Sequence, residues 1–404
     1  DGSVVVGFAA DGAAGNAARA FRWTEAGGMV SLGIFSGGTF SAAGGVNGDG
    51  SVVVGNGTID AGGTIRHAFR WTQAGGMVDI GALAGGNQAF ANSVNNDGSV
   101  VVGGSNATGT GSNSHAFRWT QAGGMVDLGT LAGGTFSSAT DVNNDGSVVV
   151  GSSNATGTGT GSNTRAFHWT QAGGMVNLGV LNGGNSSGAT GVNDDGSVVV
   201  GFAADGAAGG ASRAFRWTQA GGMVNLGVLN GGNSSGASDV NGDGSVVVGA
   251  ANNGAAGNAT RAFRWTQATG LQTVEDWLRA NGVNVPVDIT SDATGVSADG
   301  NVVVGTLNGG NDAFIARVGG AFNVGGGGSG LVTLADVQNS LAATASSGST
   351  ALSVSSTVIG GAHSHPLARR VANDKKAFWV AGDWGRDDHG SRSGDLGLAE
   401  VGGG

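Results

Sequence analysis

From Asp1 to about Val318 the chain is a succession of short apolar runs, each bounded by glycine and small polar residues, and outside one segment after Thr266 none has the period of an amphipathic helix. The run SVVVG, as at Ser51 to Gly55, is apolar at consecutive positions and predicts a strand buried on both faces. The run AFRWT alternates. It places Phe69 and Trp71 on one face and Arg70 and Thr72 on the other, the period of a strand with one packed and one polar side. Two weaker runs, S-x-A-x-x-V-N as at Ser41 to Asn47 and GGMV-x-[LI]G, complete a set of four strand candidates.

The set repeats. The tryptophans of AF[RH]WT stand at Trp23, Trp71, Trp119, Trp169, Trp217 and Trp265, at spacings of 48, 48, 50, 48 and 48, with a decayed copy at Ala313 to Arg317. The turn DG[SN]VVVG keeps step at Asp1, Asp49, Asp97, Asp145, Asp195, Asp243 and Asp299. Four strands in about 48 residues is the arithmetic of a β-propeller blade, so the fold class expected is all-β: a propeller-like array of four-stranded repeats. A β-solenoid with two rungs per repeat is the alternative, and the polar segment of about a dozen residues between SVVVG and AFRWT, such as 56–67, favours the propeller. Unit 1 lacks its first strand, and unit 7 is expected to lack its last. Since Asp1 falls inside a repeat, the N-terminus reads as cut.

Three segments depart from the period. After Thr266 the chain runs on as ATGLQTVEDWLRANGVNV, where Val274, Trp277 and Leu278 share a face of a short helix; a helix replacing the last strand there would explain the spacing of 56 from Asp243 to Asp299. Gly325 to Gly330 reads as a flexible joint, followed by a stretch with Leu334, Val337 and Leu341 at helical spacing. The segment from Lys375 alternates Phe378, Val380, Gly382 and Trp384 with Trp379, Ala381 and Asp383, the pattern of a hairpin. The domains drawn from this are a repeat array at 1–320, a joint and helical linker at 321–372, and a hairpin region at 373–404.

Composition narrows the function classes. Of 404 residues 85 are glycine and 2 are proline, Pro286 and Pro366, which excludes collagen-like and proline-rich chains. A formal charge of -10 with 11% charged residues offers no concentrated basic face, so a nucleic-acid partner is excluded. With no cysteine, disulfides and thiol chemistry are absent, and no run of eighteen apolar residues could form a transmembrane helix.

DGSVVVG, AFRWT and GGMV-x-LG together resemble the extracellular repeat family named HAF after a His-Ala-Phe signature, which stands literally at His67 to Phe69 and His115 to Phe117. The resemblance covers Asp1 to about Val318. The segment from Leu331 looks like a linker helix followed by the opening strands of the autotransporter translocator domain, whose family closes a barrel with aromatic-flanked strands. Together they imply type V secretion in a Gram-negative bacterium: an extracellular passenger at the cell surface, an outer-membrane barrel of which only the first hairpin is present, and adhesion or surface interaction as the activity. A cysteine-free chain fits that route.

No catalytic constellation is visible: there is no GxSxG, HExxH or phosphate-cradling loop before a helix. His67 and His115 occupy a column filled elsewhere by Arg19, Arg165, Arg213 and Arg261, which marks them as exchangeable cations. His363 and His365 are two potential metal ligands on a linker, too few for a site. Asn47 and Asp49 exemplify an N-x-D-G turn whose oxygens have calcium-loop character, though turn chemistry accounts for them. No catalytic residue, metal or cofactor is assigned. The candidate ligand-facing residues are the second arginine column, Arg22, Arg70, Arg118, Arg216 and Arg264, which would ring a propeller axis and bind an anionic surface glycan, or else pair with the turn aspartates. The loops between SVVVG and AFRWT vary between units and are a second candidate, but FAADGAAG stands at both Phe8 to Gly15 and Phe202 to Gly209, so a solubilising spacer is the alternative. A propeller enzyme acting on polysaccharide is the alternative function; it requires acidic or histidine residues specific to single units, whereas the acidic positions mostly recur. A purely structural stalk is the third reading.

Overall fold

The computed structural model describes residues 4–319 except 13–14, 16, 25–26, 108–112, 156–163 and 309–312, and beyond them the strands 330–333, 385–389 and 392–396. Seven antiparallel sheets follow one another along the chain: the first has three strands and the next six have four, ordered as in the sequence. In blade 3 the strands are Ala89–Val94, Val100–Asn106, Ser114–Thr120 and Gly124–Asp127. First strands of successive blades touch one another and line the axis, while each second strand packs on the first strand of the next blade. These are the blades of a β-propeller. A solenoid would pair equivalent strands of successive repeats in continuous sheets, and here every repeat closes its own sheet.

The core lies between blades, and the Val-Val-Val run shows why. In blade 3, Val101 and Phe117 are fully buried against Val52, Val54 and Ala68 of blade 2. Val100 and Val102 point the other way, against Ala139, Val149 and Phe167 of blade 4. A second strand must therefore be apolar at every position, since both faces meet a neighbouring blade. Phe117 and its five counterparts from Phe69 to Phe314 are the largest side chains that are completely buried among the described residues. Burying each contributes about 2–3 kcal/mol.

Blades are joined at one rim by the N-x-D-G turns. Asn95, 1% exposed, accepts at Oδ1 from the Val100 amide (2.8 Å) and donates from Nδ2 to the Asn144 carbonyl of blade 4 (3.3 Å). Asn47, Asn143, Asn193 and Asn241 repeat both bonds. Beside them runs a ladder of main-chain bonds, Gly48 to Asn96, Asn96 to Asn144, Asn144 to Asp194, Asp194 to Gly242 and Gly242 to Ala298, each amide donating to the next turn's carbonyl. The aspartates finish the turns: Asp97 Oδ1 accepts from the Ser99 amide at 2.9 Å. The glycine that follows is obligatory. Gly98 has φ +74°, and a Cβ there would lie 2.5 Å from Val52 Cγ2 of the preceding blade. The oxygens with calcium-loop character are thus turn chemistry.

The first strands carry a β-bulge. In blade 3 the register shifts between Ala91 and Ser93, and the same irregularity recurs in blades 2, 4, 5, 6 and 7. A bulge leaves main-chain groups unpaired, and the neighbouring blade supplies partners: Asn92 Nδ2 donates to the Ala139 carbonyl at 2.7 Å, and Thr140 Oγ1 to the Ala189 carbonyl at 3.0 Å.

Two expectations are corrected. The helix Val274–Ala280 forms where the pattern placed it, capped by Thr273 and burying Val274, Trp277 and Leu278, but it does not replace the last strand of blade 6. Gly270–Thr273 keeps that strand, paired with Phe263 to Thr266, and the helix is an insertion after it. The helix also carries Glu275, fully buried, whose Oε1 accepts from the amides of Ile289 and Thr290 at 2.9 and 2.8 Å. Nor does blade 7 lack its fourth strand. Gly330–Thr333 pairs with Phe314 to Arg317, so chain assigned to the linker belongs to the array, because the last blade's third strand has the same free edge as the others. Near the C-terminus Gly385–His389 pairs with Arg392–Leu396 in a two-stranded sheet, which leaves the barrel hairpin expected on the alternating segment from Phe378 to Trp384 untested. The alternating aromatic segment before it and the stretch of Leu334, Val337 and Leu341 lie outside the described residues, as do His363 and His365. Among the described residues no helix is long and apolar enough to cross a membrane.

Replacing Asn95 with Ala removes an acceptor from a buried amide and a donor from the interblade carbonyl. It should lower the unfolding free energy by about 2–3 kcal/mol, read by chemical denaturation, with little change in the m-value.

Candidate functional site

The blade geometry places the sequence-derived candidates in three zones. The arginines of AFRWT face the following blade. Arg22, Arg70, Arg118, Arg216 and Arg264 each donate from Nε to a turn-glycine carbonyl there, namely Gly50, Gly98, Gly146, Gly244 and Gly300, at 2.9 to 3.4 Å. The acceptor is the carbonyl beside the turn aspartate rather than its carboxylate, which the serine amide already occupies. These guanidinium groups are half-buried, and burial lowers the pKa of Arg118, Arg216 and Arg264. In blade 4 the column holds His168, whose pKa burial also lowers and whose ring lies 5.6 Å from that of Trp217 in the next blade.

The other cation column is equally engaged. Arg19, Arg165 and Arg213 donate to the carbonyls of Thr39, Asn185 and Asn233 at 2.7, 2.5 and 2.6 Å, just ahead of the next blade's first strand. Arg261 pairs with Asp288 at 2.9 Å. His67 and His115 instead meet Asp79 and Asp127 of their own blades, both at 2.8 Å.

The variable loops form the rim opposite the N-x-D-G turns, and those described are self-capped. Asp60 in blade 2 accepts from the amides of Ile65 and Thr64, and these hydrogen bonds, the Ile65 bond above all, hold its pKa below the usual carboxylate value. Asp205 in blade 5 accepts from Asn182 and Asn225 at 2.8 and 3.0 Å, tying the loop to the segment entering the blade. Asn253 repeats the arrangement with Asn230 in blade 6. Parts of the corresponding loops in blades 3 and 4, 108–112 and 156–163, lie outside the described residues.

The axis holds what the sequence reading missed. At the fifth position of the first strand, blades 2 to 7 carry Gly45, Ser93, Asp141, Gly191, Asp239 and Gly295. The two aspartates belong to single units, and comparing this one column would have shown them; the uninterrupted acidic column of the turns masked them. Asp141 accepts from Ser93 Oγ of blade 3 (2.8 Å) and from the Val192 amide of blade 5 (3.0 Å). Asp239 accepts from the Val296 amide of blade 7 (2.9 Å) and from that of Val240 (2.8 Å). Both residues are half-buried on the axial strands.

Burial raises both carboxyls, and Asp239 is pushed up to about 7, with the like charge of Asp141 adding to the desolvation. The acids stand two blades apart, and blade 5 between them carries Gly191 at this position, where a Cβ would lie 3.6 Å from Asp239 Oδ1. Among the described residues no three His, Cys, Asp or Glu side chains gather into a metal-holding group.

No family model matches the chain, and no curated protein matches it. Solved structures of similar form include the TolB protein of Acinetobacter baumannii, at 12% identity and a TM-score of 0.44 over 67% of this chain and 62% of that one. The β-propeller domain of the Trilobed protease from Pyrococcus furiosus, with an open velcro topology, gives 10%, 0.48, 78% and 92%. The periplasmic gluconolactonase of Pseudomonas aeruginosa gives 11%, 0.41, 82% and 95%. The propeller assignment rests on the strand pairing described above.

Stability should have two titrating limbs. Asp239 has a folded pKa above its unfolded value, so its contribution is complete below about 4 and is lost as pH rises through about 7. Turn aspartates such as Asp97 and Asp145 have lowered values, so theirs is present above the unfolded value and lost as pH falls below it. From these groups the unfolding midpoint should be highest near pH 4, falling on the acid side as the turn aspartates protonate and on the alkaline side as Asp239 is forced to ionise, and Asp239→Asn should flatten the slope between about pH 4 and 7 without altering the acid limb. Arg70→Ser should cost about 1–2 kcal/mol by loss of a charged bond to the Gly98 carbonyl, measured by thermal unfolding.

Proposed function

We propose that this chain is the passenger of a bacterial surface protein of the autotransporter type, in which the propeller is a non-enzymatic scaffold displayed outside the outer membrane for adhesion or surface interaction. The observation that carries this reading is how the recurring polar groups are employed. The asparagine, aspartate and arginine columns bond to main-chain groups that hold blades together, which leaves the loop rim as the surface free to differ between units. A rigid array with variable loops is how scaffolds present recognition surfaces. The HAF-type motif over Asp1 to about Val318, and the translocator-like segment after it, support export and display. An anionic surface glycan is the ligand class the arginine columns would take, through the guanidinium nitrogens not bonded to a turn carbonyl.

The second reading, a propeller enzyme acting on polysaccharide, draws on Asp141 and Asp239: paired carboxylates of raised pKa, specific to single units, on the axial strands. Display is favoured because all four carboxylate oxygens already accept a hydrogen bond from the blades.

Antibody against the array should label intact cells of the native bacterium, and external protease should remove the signal. Labelling only after permeabilising the outer membrane would overturn the assignment. Sugar release from a polysaccharide panel, abolished in Asp141→Asn or Asp239→Asn protein that melts like the parent, would establish the enzyme instead.

A further inference from the structure

One arginine of the array stands outside both cation columns. Arg66 opens the third strand of blade 2, at a position filled in blades 1, 3, 4, 5 and 6 by Ala18, Ser114, Thr164, Ser212 and Thr260. Every other arginine of blades 1 to 6 bonds through its guanidinium group to a carbonyl or a carboxylate. The Arg66 guanidinium makes no hydrogen bond or ion pair with the described residues. It lies instead against two phenyl rings, its Cζ 4.8 Å from the centre of Phe40 and 6.0 Å from that of Phe90.

The main chain fixes this arginine and both rings. The Arg66 amide donates to the Asn87 carbonyl at 3.0 Å, and a bridge joins Arg66 to Gln88, two residues before Phe90. The Phe40 amide donates at 3.0 Å to Oγ1 of Thr58, the residue opposite Arg66 in the strand pair. A ring face attracts a cation without engaging its N–H groups, so those donors remain available. Asn56 adds a second unmet group: its Oδ1 is buried with no hydrogen-bond partner. Asn56 stands two residues before Thr58 and therefore on the same face of the sheet as Arg66. Blade 3 shows how near these positions come. A Cβ on Gly104, the counterpart of Asn56, would lie 2.6 Å from Ser114 Oγ and 3.0 Å from Ser138 Oγ, the counterparts of Arg66 and Phe90. Elsewhere the Asn56 position holds Phe8, Gly104, Ser152, Phe202 and Ala250, so among blades 1 to 6 the combination belongs to blade 2.

We infer that Arg66 and Asn56, at the loop rim where blade 2 meets blade 3, form a binding site for a hydroxycarboxylate, the group that a uronic acid unit of an acidic polysaccharide presents. The two unmet groups define the ligand between them. A guanidinium offers parallel N–H donors that match the two oxygens of a carboxylate. The orphaned Asn56 Oδ1 needs a donor, which an ionised carboxylate lacks and a neighbouring hydroxyl supplies. Phe40 and Phe90 keep water from the ring side of the guanidinium and so strengthen its bond to the anion. The site is separate from the recurring arginine columns. It does not depend on whether the array is displayed or catalytic.

The test titrates the full chain in a calorimeter with sodium D-glucuronate, D-glucose, L-lactate and inorganic phosphate. Glucuronate should bind saturably, and glucose, which keeps the hydroxyls but lacks the carboxylate, should give no saturable heat. Lactate and phosphate should each bind about tenfold more weakly than glucuronate, or weaker still. Arg66→Lys keeps the charge without the fork, and Asn56→Ala removes the acceptor. Each should weaken glucuronate binding by about tenfold or more, with folding checked by thermal melting. No glucuronate binding, or glucose, lactate or phosphate binding as tightly as glucuronate, would overturn the proposal. Glucuronate binding that survives in both variants would place the ligand on the recurring columns, overturning this site and leaving the proposed function standing. The comparison of ligands on the unaltered chain decides the case even where a variant fails to fold.

Discussion

The whole array depends on a buried asparagine that has to satisfy two blades at once. Asn95 holds the amide that starts its own second strand and the carbonyl of the next blade's turn, and four other asparagines do the same. An aspartate could accept but not donate, and a serine could not span both groups. Because the bond is made from each blade to the next, the turns stack at a fixed spacing, and the main-chain ladder from Gly48 to Ala298 follows from that stacking. The arginines complete the fixture by binding the carbonyl of the glycine that the same turn requires.

Given that frame, the apolar residues have little freedom. A second strand lies between two neighbouring blades and can tolerate no polar side chain at Val100, Val101 or Val102, while the third strand buries Phe117 and turns Arg118 toward the next turn. The bulged first strand is the weak point of each sheet, and its unpaired groups are met from the adjacent blade. At the fifth position that duty falls to whichever residue fits, and in two blades it falls to aspartate. Packing protein around a carboxylate costs solvation, which raises its pKa. A structural plug has thereby acquired the ionisation behaviour of a functional acid.

Much of this was legible in the residues. The seven-fold period, the four strands per unit, the two-faced burial of Val-Val-Val and the one-faced packing of Phe-Arg-Trp are all consequences of local sequence, because strand periodicity and turn chemistry act over a few positions. The insertion helix at Val274–Ala280 was legible for the same reason. Asp141 and Asp239 were visible only in a column that needs the blades aligned. Their raised pKa was not visible at all, since burial and the charge of a residue two blades away are properties of the assembled axis.

The sequence alone determined the repeat, its strands, its turns and the alternation of buried and polar faces. The tertiary structure decided where the arginines go and that Gly330–Thr333 completes the seventh blade. Both concern partners more than a dozen residues away or in another blade. Short-range chemistry specifies an element, but which edge, carbonyl or carboxylate it meets is fixed only when the blades pack.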